Sequence, residues 1–293
     1  MEIRKAERKK AKLRLGIAAP SGAGKTYSAL LLAFGLGGKV GLIDTEHGSG
    51  DLYAHLGDYD IIGIEAPYTV AKYTQAIKAF EQAGYNTVII DSLSHAWSGD
   101  GGLLDKQGKM ADRGTNSFAA WRTITPEHNA LVDAMLSSPC HIIATMRAKQ
   151  EYVLETNAKG KQEPKKVGMA PVQREGMEYE FTVMLDVDMN HIASASKDRT
   201  SLFDGQYMKI TPGTGAMLLE WLETGATVSV YDESVLNGYN DVMIECDDLD
   251  NLKAAFAVAY NYGKQFRNVD AVTASTSIYN GKKAELTTET EGA

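Results

Sequence analysis

GIAAPSGAGKTYSALLLAF, residues 16–34, is the stretch of this sequence that decides the fold. Within it, Ala19 to Thr26 reads A-x-x-x-x-G-K-T, the phosphate-loop pattern with Ala in place of its first glycine. The residues before the loop are small and apolar, as in a buried strand, and an apolar run ended by glycine follows it, as in a buried helix. Strand, glycine loop and helix in this order predict an α/β fold with an anion site at the start of the helix.

The spacing inside the pattern has a physical reason. Glycines at positions 22 and 24 let the backbone turn so that successive N–H groups point at one anion. We expect Lys25 to reach the outer phosphates of a nucleotide and the hydroxyl of Thr26 to ligate Mg²⁺. The expected nucleotide-binding residues are Pro20, Ser21, Gly22, Ala23, Gly24, Lys25, Thr26 and Tyr27. The sequence therefore predicts ATP and Mg²⁺ as cofactors.

Length and composition are those of a soluble globular protein. The 293 residues are 44% hydrophobic, and no apolar run approaches the roughly 20 residues that span a bilayer. The basic N-terminus lacks the apolar core of a signal peptide, so we expect a cytoplasmic protein with no membrane partner. Cys140 and Cys246 fit neither a disulfide framework nor a zinc site. Because the net charge is −8, any nucleic-acid surface must be a local basic patch.

Two further apolar strands end in carboxylates. One runs into Asp91, which at this distance from a phosphate loop is the candidate to hold the metal's water shell. The other ends in Asp44-Thr45-Glu46, and a carboxylate at such a strand end lies where ligands bind in open α/β sheets. Glu46 is the candidate to orient or deprotonate an attacking water, with Glu65 as a weaker candidate. The alternative for Glu46 is a surface position in a turn.

These segments resemble the RecA-type recombinases. GLIDTEHGSGDLYAHLG (41–57) resembles the segment with that family's catalytic glutamate, and NTVIIDSLSHAW (86–97) is similar to its second acidic motif. CHIIATMRAKQEY (140–152) resembles the strand that ends in a polar γ-phosphate sensor, here Thr145 where the family usually has Gln. The resemblance covers roughly residues 12–222. In size the chain looks most like the reduced, phage-encoded RecA-like ATPases of single-strand annealing and recombination. If the chain is phage-encoded as they are, the expected location is the host cytoplasm.

The resemblance implies a RecA-like P-loop NTPase core, with a mainly parallel central sheet flanked by helices, over residues 1–225. It implies that Glu46 activates water and that Thr145 senses the γ-phosphate. It also implies that Lys197 and Arg199 reach the γ-phosphate held by a neighbouring subunit, as an arginine finger does. A charged turn is the alternative for these last two residues.

Two basic segments are candidates for DNA binding. Residues 98–118 have loop composition and lie where the family places its first DNA loop. Residues 147–176 are long and poor in apolar residues, and within 149–174 six cationic side chains face three acidic ones. A solvated hairpin or a lid over the nucleotide is the alternative for the second segment. The candidate DNA-binding residues are Lys106, Lys109, Arg113, Arg147, Lys149, Lys159, Lys161, Lys165, Lys166 and Arg174.

The pattern of predicted secondary structure changes after residue 225. TVSVYDES and DVMIECDD predict short strands, and DLDNLKAAFAVAYNYGKQF predicts an amphipathic helix. The acidic tail TTETEGA is predicted to be disordered. We therefore assign residues 226–293 to a small α+β or helical module for assembly or partner binding.

Two classes of function stay open at this point. The first is a DNA-stimulated ATPase of recombination or annealing that forms a homo-oligomer, filament or ring, on single-stranded DNA, with a single-strand-binding protein as a possible partner. The second is a phosphotransferase, or kinase, acting on a small acceptor, with residues 147–176 as its lid. The predominance of lysine over arginine in that segment favours the first. A DNA motor or loader subunit is a third, weaker alternative.

Overall fold

A computed structural model defines two compact units, Met1–Ala226 and Thr227–Ala293. The described residues are 5, 8–156, 162–224, 233–265 and 268–291, with the backbone alone described between 150 and 168 on either side of the gap. Among the described helices, none has the length and apolar content that crossing a membrane requires.

The first unit is built on a mainly parallel sheet. Its strands are β1 Arg14–Ala19, β2 Val40–Asp44, β3 Asp60–Gly63, β4 Thr87–Asp91, β5 His141–Thr156, β6 Gln162–Pro171, β7 Val183–Val187, β8 Ala193–Asp198 and β9 Tyr207–Met208. Across the described residues their order is β3-β2-β4-β5-β1-β7-β8-β9, and β6 pairs with β5. The strands from β3 to β7 are parallel, and β8 and β9 are antiparallel. Consequently β5 lies between the strand of the phosphate loop and the strand that ends in Asp91.

Helices cover both faces of this sheet. They are α1 Lys25–Leu36, α2 Val70–Gln82, α3 Ser94–Ser98, α4 Leu103–Asp112, α5 Ser117–Ser137 and α6 Pro212–Glu223, with 3₁₀ helices at Ser49–Leu56 and Met177–Glu180. Side chains of each strand alternate between two cores: Ile43 and Ile90 join one, with α2 and α5, whereas Leu42 and Ile89 join the other, with α1 and α6. Because both faces are covered, β1, β2 and β4 are buried along their whole length. The predicted α/β architecture with a parallel sheet flanked by helices is confirmed.

The prediction of a loop over residues 98–118 is wrong. α4 occupies Leu103–Asp112, and α5 begins at Ser117. Leu103 is buried and Met110 packs against the same core, so two apolar contacts anchor a segment whose composition is otherwise polar. Gly and Lys in this stretch suggested a loop because the sequence gives no sign of these distant contacts.

Within residues 147–176, the described residues 148–156 and 162–171 pair as the hairpin that was the alternative to a loop. β5 runs beyond the main sheet and pairs antiparallel with β6, from Ala148 opposite Pro171 to Thr156 opposite Gln162. This β5–β6 hairpin therefore continues a central strand of the sheet outward from its carboxyl end. Lys159 and Lys161 lie outside the described residues.

The second unit is helical in its described residues, so the predicted strand at DVMIECDD is wrong. Its helices are α7 Glu233–Glu245, α8 Leu249–Gln265 and α9 Val269–Glu291. Leu236, Asn240 and Met243 recur at helical spacing on the buried face of α7, which outweighs the local strand preference of Val and Ile. The prediction that the tail is disordered is also wrong up to residue 291. α9 extends that far, and buried Leu286 anchors its last turns. Most of TVSVYDES lies outside the described residues.

Candidate functional site

The phosphate loop joins the end of β1 to the start of α1. Gly22 and Gly24 have φ angles of 83° and 87°, in the left-handed region that favours glycine. The turn closes with the N–H of Ala23 donating to the carbonyl oxygen of Pro20 at 3.3 Å. The side chain of Lys25 folds back over the turn, with Nζ 3.3 Å from the same oxygen. The loop thus forms with Ala at position 19 and leaves the N-terminal end of a 12-residue helix open to an anion.

A cavity of about 540 Å³ opens over this loop. Its lining residues are Gly22, Gly24, Lys25, Thr26, Tyr27, Ser28, Tyr53, His191, Lys209 and Ile210. The rings of Tyr27 and Tyr53 meet edge to face, with centroids 6.1 Å apart. A larger cavity, about 690 Å³, lies around the amino ends of β2 and β3 and contains none of the phosphate-loop residues. The smaller cavity is therefore the candidate nucleotide site.

Five of these lining residues were not predicted from the sequence: Ser28, which directly follows the predicted stretch, and Tyr53, His191, Lys209 and Ile210. Tyr53 lies on the 3₁₀ helix after β2, seven positions beyond Glu46. Its place in the segment 41–57 is the one signal in the sequence that could have identified it. His191, in the turn between β7 and β8, contacts the loop through Nδ1, 3.0 Å from the carbonyl oxygen of Ala23. Lys209 and Ile210 directly follow β9, and nothing in their local sequence indicates the site.

Asp91 lies behind the loop with a hydroxyl on each carboxylate oxygen. Thr26 Oγ1 donates to Oδ2 and Thr145 Oγ1 donates to Oδ1, both at 2.5 Å. Burial raises the pKa of Asp91, and the hydrogen bonds from Thr145 and Thr26 oppose that rise. A buried carboxylate of this kind is stabilised by a nearby cation. The predicted metal residues, Thr26 and Asp91, are thus adjacent.

The donor set fits Mg²⁺ bound together with phosphates. No group of three or more His, Cys, Asp or Glu side chains that could hold a metal occurs among the described residues. Mg²⁺ usually takes one or two protein oxygens and completes its octahedron with water and substrate phosphates. The hydroxyl of Thr26 and the carboxylate of Asp91 supply such oxygens beside the phosphate loop.

Glu46 follows β2, directly beside the end of β4. Its N–H donates to Asp44 Oδ1 at 2.6 Å, and Asp44 Oδ2 accepts from Gly50 N–H at 3.0 Å, so Asp44 shapes the turn. The Glu46 carboxylate accepts from Ser92 Oγ at 3.1 Å and from Arg147 Nε and Nη2 at 3.1 and 2.5 Å. Burial acts to raise the pKa of Glu46, but Arg147 outweighs it, so that pKa is lower than usual. The carboxylate is therefore ionised at neutral pH.

A buried network beneath Glu46 joins the ends of β2 and β4. Ser92 N–H donates to Thr45 Oγ1 at 2.8 Å, and Thr45 Oγ1 lies 2.7 Å from His95 Nδ1. Tyr68 stacks on the His95 ring with centroids 4.7 Å apart. Burial lowers the pKa of His95, which keeps the ring neutral. The network holds Ser92 in place against Glu46, and sequence reasoning did not identify it.

The predicted DNA-binding residues are divided among several environments. Lys106 pairs with Glu127 and Lys109 with Asp105, each at 2.5 Å. Arg174 donates to Thr125 Oγ1 at 3.2 Å. Arg113 caps the end of α4, Arg147 binds Glu46, and Lys149 lies on β5. Lys165 and Lys166 lie on β6, where the backbone alone is described.

Lys197 and Arg199 are remote from the phosphate loop of their own chain. Lys197 pairs with Met184 near the start of β7, towards the opposite end of the sheet. Its Nζ donates to the carbonyl oxygens of Glu178 and Tyr179 at 3.1 and 2.5 Å, and Arg199 Nη2 donates to Tyr179 at 3.3 Å. The structure therefore does not bring these two cations into the site of the same chain.

The arrangement defines a P-loop NTPase. Three features meet at the carboxyl ends of the parallel strands: the phosphate loop after β1, an acid at the end of β4 and a second acid after β2. β5 lies between β1 and β4. The sequence matches the family described as AAA domain over residues 11–214, so the chain belongs to this family. Membership implies nucleotide binding, usually with Mg²⁺, and ATPase activity in general. No curated protein matches the chain significantly.

Proposed function

We propose that the protein is an Mg²⁺-dependent ATPase that is stimulated by single-stranded DNA and acts as a homo-oligomer in phage-type recombination or annealing. One observation carries this proposal: the hydrolysis site and the basic hairpin share a strand. On β5, Thr145 bonds Asp91 and Arg147 bonds Glu46, and the same strand continues outward as the β5–β6 hairpin. In this proposal, DNA that binds the hairpin acts through β5 on the side chains that surround the phosphate loop.

The side chains present have distinct roles in hydrolysis. The Thr26 hydroxyl and the Asp91 carboxylate would hold a bound Mg²⁺, which would offset the negative charge of the phosphates. Lys25 would hold the β- and γ-phosphates over the start of α1. Glu46 would take a proton from the water whose oxygen attacks the γ-phosphorus, while the bond from that phosphorus to the bridging oxygen breaks and ADP leaves. Thr145, on β5, would be the side chain through which this strand senses whether a γ-phosphate is bound.

The nucleic-acid part of the proposal rests on charge. Six cationic and three acidic side chains lie within residues 149–174 of a chain with net charge −8. Lysines that contact phosphates give affinity with little sequence preference and with strong salt dependence. Such a hairpin suits single-stranded DNA of any sequence.

The homo-oligomer rests on Lys197 and Arg199. Lys197, near the end of β8, and Arg199, just after it, lie far from their own phosphate loop, so in this proposal they act on a γ-phosphate bound by another copy of the chain. A cation supplied across an interface stabilises charge in the transition state and makes hydrolysis depend on assembly.

The test measures ATP hydrolysis with and without single-stranded DNA over a range of protein concentrations. We expect stimulation by DNA and a rate that rises more than linearly with protein. DNA binding without turnover would favour an annealing protein that uses ATP to lock one conformation. Turnover that responds to neither variable would contradict the proposal and favour a phosphotransferase, to be followed with small acceptors.

A charge variant tests the hairpin separately. Replacing Lys159, Lys161, Lys165 and Lys166 by Gln should weaken DNA binding and flatten its salt dependence, since fewer counterions are released. The matched control replaces four exposed lysines elsewhere, Lys39, Lys78, Lys253 and Lys264, by Gln. Intact DNA binding in the hairpin variant would make the hairpin a lid or a bystander.

A further inference from the structure

The turn between β7 and β8 holds a histidine in an unusual backbone conformation. His191 has a φ angle of 62°, in the left-handed region that residues other than glycine rarely adopt. Asp188 enforces this conformation, because its carbonyl oxygen accepts from His191 N–H at 3.0 Å. Its carboxylate Oδ1 also accepts from the N–H groups of Asn190 and Ile192, at 2.8 and 2.9 Å. A strained residue that its surroundings hold in place is a candidate for a functional role.

The ring of His191 rests on the phosphate loop. Its Nδ1 lies 3.0 Å from the carbonyl oxygen of Ala23, and a Cβ placed on Gly24 would lie 3.3 Å from the same nitrogen. A carbonyl oxygen can only accept a hydrogen bond, so Nδ1 carries a hydrogen and donates it. The β7–β8 turn therefore holds one particular peptide unit of the loop, the unit between Ala23 and Gly24.

This peptide unit also contains a donor for the anion. The bond between Ala23 and Gly24 is trans, and in a trans unit the C=O and the N–H point in opposite directions. A hydrogen bond that fixes the Ala23 C=O therefore fixes the Gly24 N–H as well, directed away from His191. Gly24 is the N-cap residue of α1, so its N–H belongs to the group of loop and helix N–H donors that converge on a phosphate.

Without this hydrogen bond, the same peptide unit has a second orientation. A rotation of the unit changes ψ of Ala23 and φ of Gly24 and exchanges the directions of the C=O and the N–H. Gly24 has a φ angle of 87°, and because glycine tolerates either sign of φ, it does not oppose the rotation. The rotated unit would present a carbonyl oxygen to the phosphates and repel them. The freedom that lets the loop form thus makes a restraint from outside the loop useful.

We propose that His191 is a positioning residue for nucleotide binding, whose Nδ1–H holds the Ala23 carbonyl so that the Gly24 N–H stays directed at the polyphosphate chain. This inference rests on the nucleotide binding in the proposed function, and it adds a residue that lies 165 positions beyond Thr26 in the sequence. The ring acts on the phosphate part of the ligand alone. Its effect is therefore the same for a polyphosphate with or without a nucleoside.

The central experiment measures the affinity of the full chain for MgATP and for magnesium tripolyphosphate, each in competition with a fluorescent ATP analogue. His191→Gly removes the donor and tolerates the left-handed backbone. We expect both affinities to fall by about threefold to tenfold, as for the loss of one hydrogen bond. In ATP hydrolysis KM should rise by a similar factor, with kcat within about twofold of wild type, because the loop holds the phosphates before and during the reaction.

Two variants control this result. His191→Asn keeps a donor, Nδ2, close to the backbone and suits the left-handed conformation, so both affinities should stay within about twofold of wild type. Ser201→Gly places a glycine at another left-handed position, with a φ angle of 59° in the turn after β8, and should leave both affinities unchanged. Affinities in His191→Asn as low as those in His191→Gly would overturn the proposal.

Asp188 tests whether the turn acts through the histidine. Asp188→Ala removes the carboxylate that shapes the turn, so it should weaken the binding of both ligands. Added to His191→Gly, it should weaken binding by less than a further factor of about two, because the two changes remove the same restraint. Effects that multiply in the double variant would contradict the placing of His191 by this turn, and with it the proposal.

The outcomes separate this inference from the proposed function. Weaker MgATP binding with unchanged tripolyphosphate binding in His191→Gly would overturn the inference, because the ring would then contact the nucleoside. Unchanged binding of both ligands would overturn it as well, and in both cases the DNA-stimulated ATPase stands. Turnover in wild type that ignores single-stranded DNA would defeat the proposed function and leave the inference intact. Failure of wild type to bind either ligand would defeat both.

Discussion

The two ends of the parallel sheet both bury polar groups, but they satisfy them differently. At the carboxyl end, Asp91 binds the hydroxyls of Thr26 and Thr145, so side chains from separate elements bind one another. At the amino end, the guanidinium of Arg14 donates to four backbone carbonyl oxygens, those of Leu13, Leu136, Ser138 and Cys140. His141 Nδ1 likewise accepts from the N–H of Leu13 at 3.0 Å.

This difference distinguishes a site from a structural contact. Side chains that bind one another can exchange partners for a metal or a phosphate without any change in the backbone. The two Nη atoms of Arg14 donate to fixed backbone carbonyl oxygens, which cannot exchange for a metal or a phosphate, and loss of this guanidinium leaves those buried acceptors unpaired. Changes at the carboxyl end should therefore affect chemistry, and changes at the amino end should affect stability.

Lys25→Ala should give the largest effect. It removes the cation over the phosphate loop, so ATP turnover should fall by about 100- to 1,000-fold, with ATP affinity also greatly reduced. The free energy of unfolding should change by less than about 1 kcal/mol, because the lysine serves no core contact. Calorimetric titration with MgATP measures the affinity, with Lys78→Ala on α2 as the matched control. Unchanged affinity in Lys25→Ala would refute the phosphate-loop assignment.

Arg14→Leu tests the opposite end of the sheet. It leaves four carbonyl oxygens without their donor, so the free energy of unfolding should fall by about 4 kcal/mol. Denaturant unfolding measures this loss, and Arg122→Leu, at an exposed position, should change stability by less than about 0.5 kcal/mol. ATP affinity per folded molecule should stay at the wild-type value. A selective loss of ATP binding in Arg14→Leu would contradict the expectation that changes at the amino end affect stability alone.

The pH dependence of stability gives the next effect. Burial, with the nearby charges of Lys12 and Arg14, lowers the pKa of His141 to about 4. The unfolded chain therefore binds the proton first as the pH falls through about 6.5, and roughly 3 kcal/mol of stability is lost by pH 4. His141→Asn should reduce this loss in acid unfolding, whereas His55→Asn, at an exposed position, should not. Equal pH dependence in wild type and His141→Asn would show that another group is responsible.

Much of the carboxyl end could be predicted from sequence, because its parts are local. The loop from Ala19 to Thr26, the apolar strand that ends two residues before Glu46 and the apolar strand that ends in Asp91 are each contained in a few residues. Arg147 was assigned to DNA alone, since its partner is 101 positions away in the chain. His191 and Lys209 were missed for the same reason: the fold, and no local pattern, brings them to the loop.

The basic segments show where composition misleads. Lys106 and Lys109 suggested a loop open to DNA, yet both lie on α4 and pair with acids. Composition reports charge but not whether an acid faces each lysine, and one buried leucine at position 103 is enough to anchor a helix in polar sequence. In the second unit, helical spacing of Leu236 and Met243 outweighed a short run of strand-forming residues.

The most direct test of the central claim compares ATP binding and turnover in Glu46→Gln. The change keeps the size of the side chain and removes its ability to take a proton from water. We predict MgATP affinity within about twofold of wild type and turnover lower by a factor on the order of 100 to 10,000. Normal turnover would contradict the account and move the catalytic base elsewhere, with Glu65 as the next candidate.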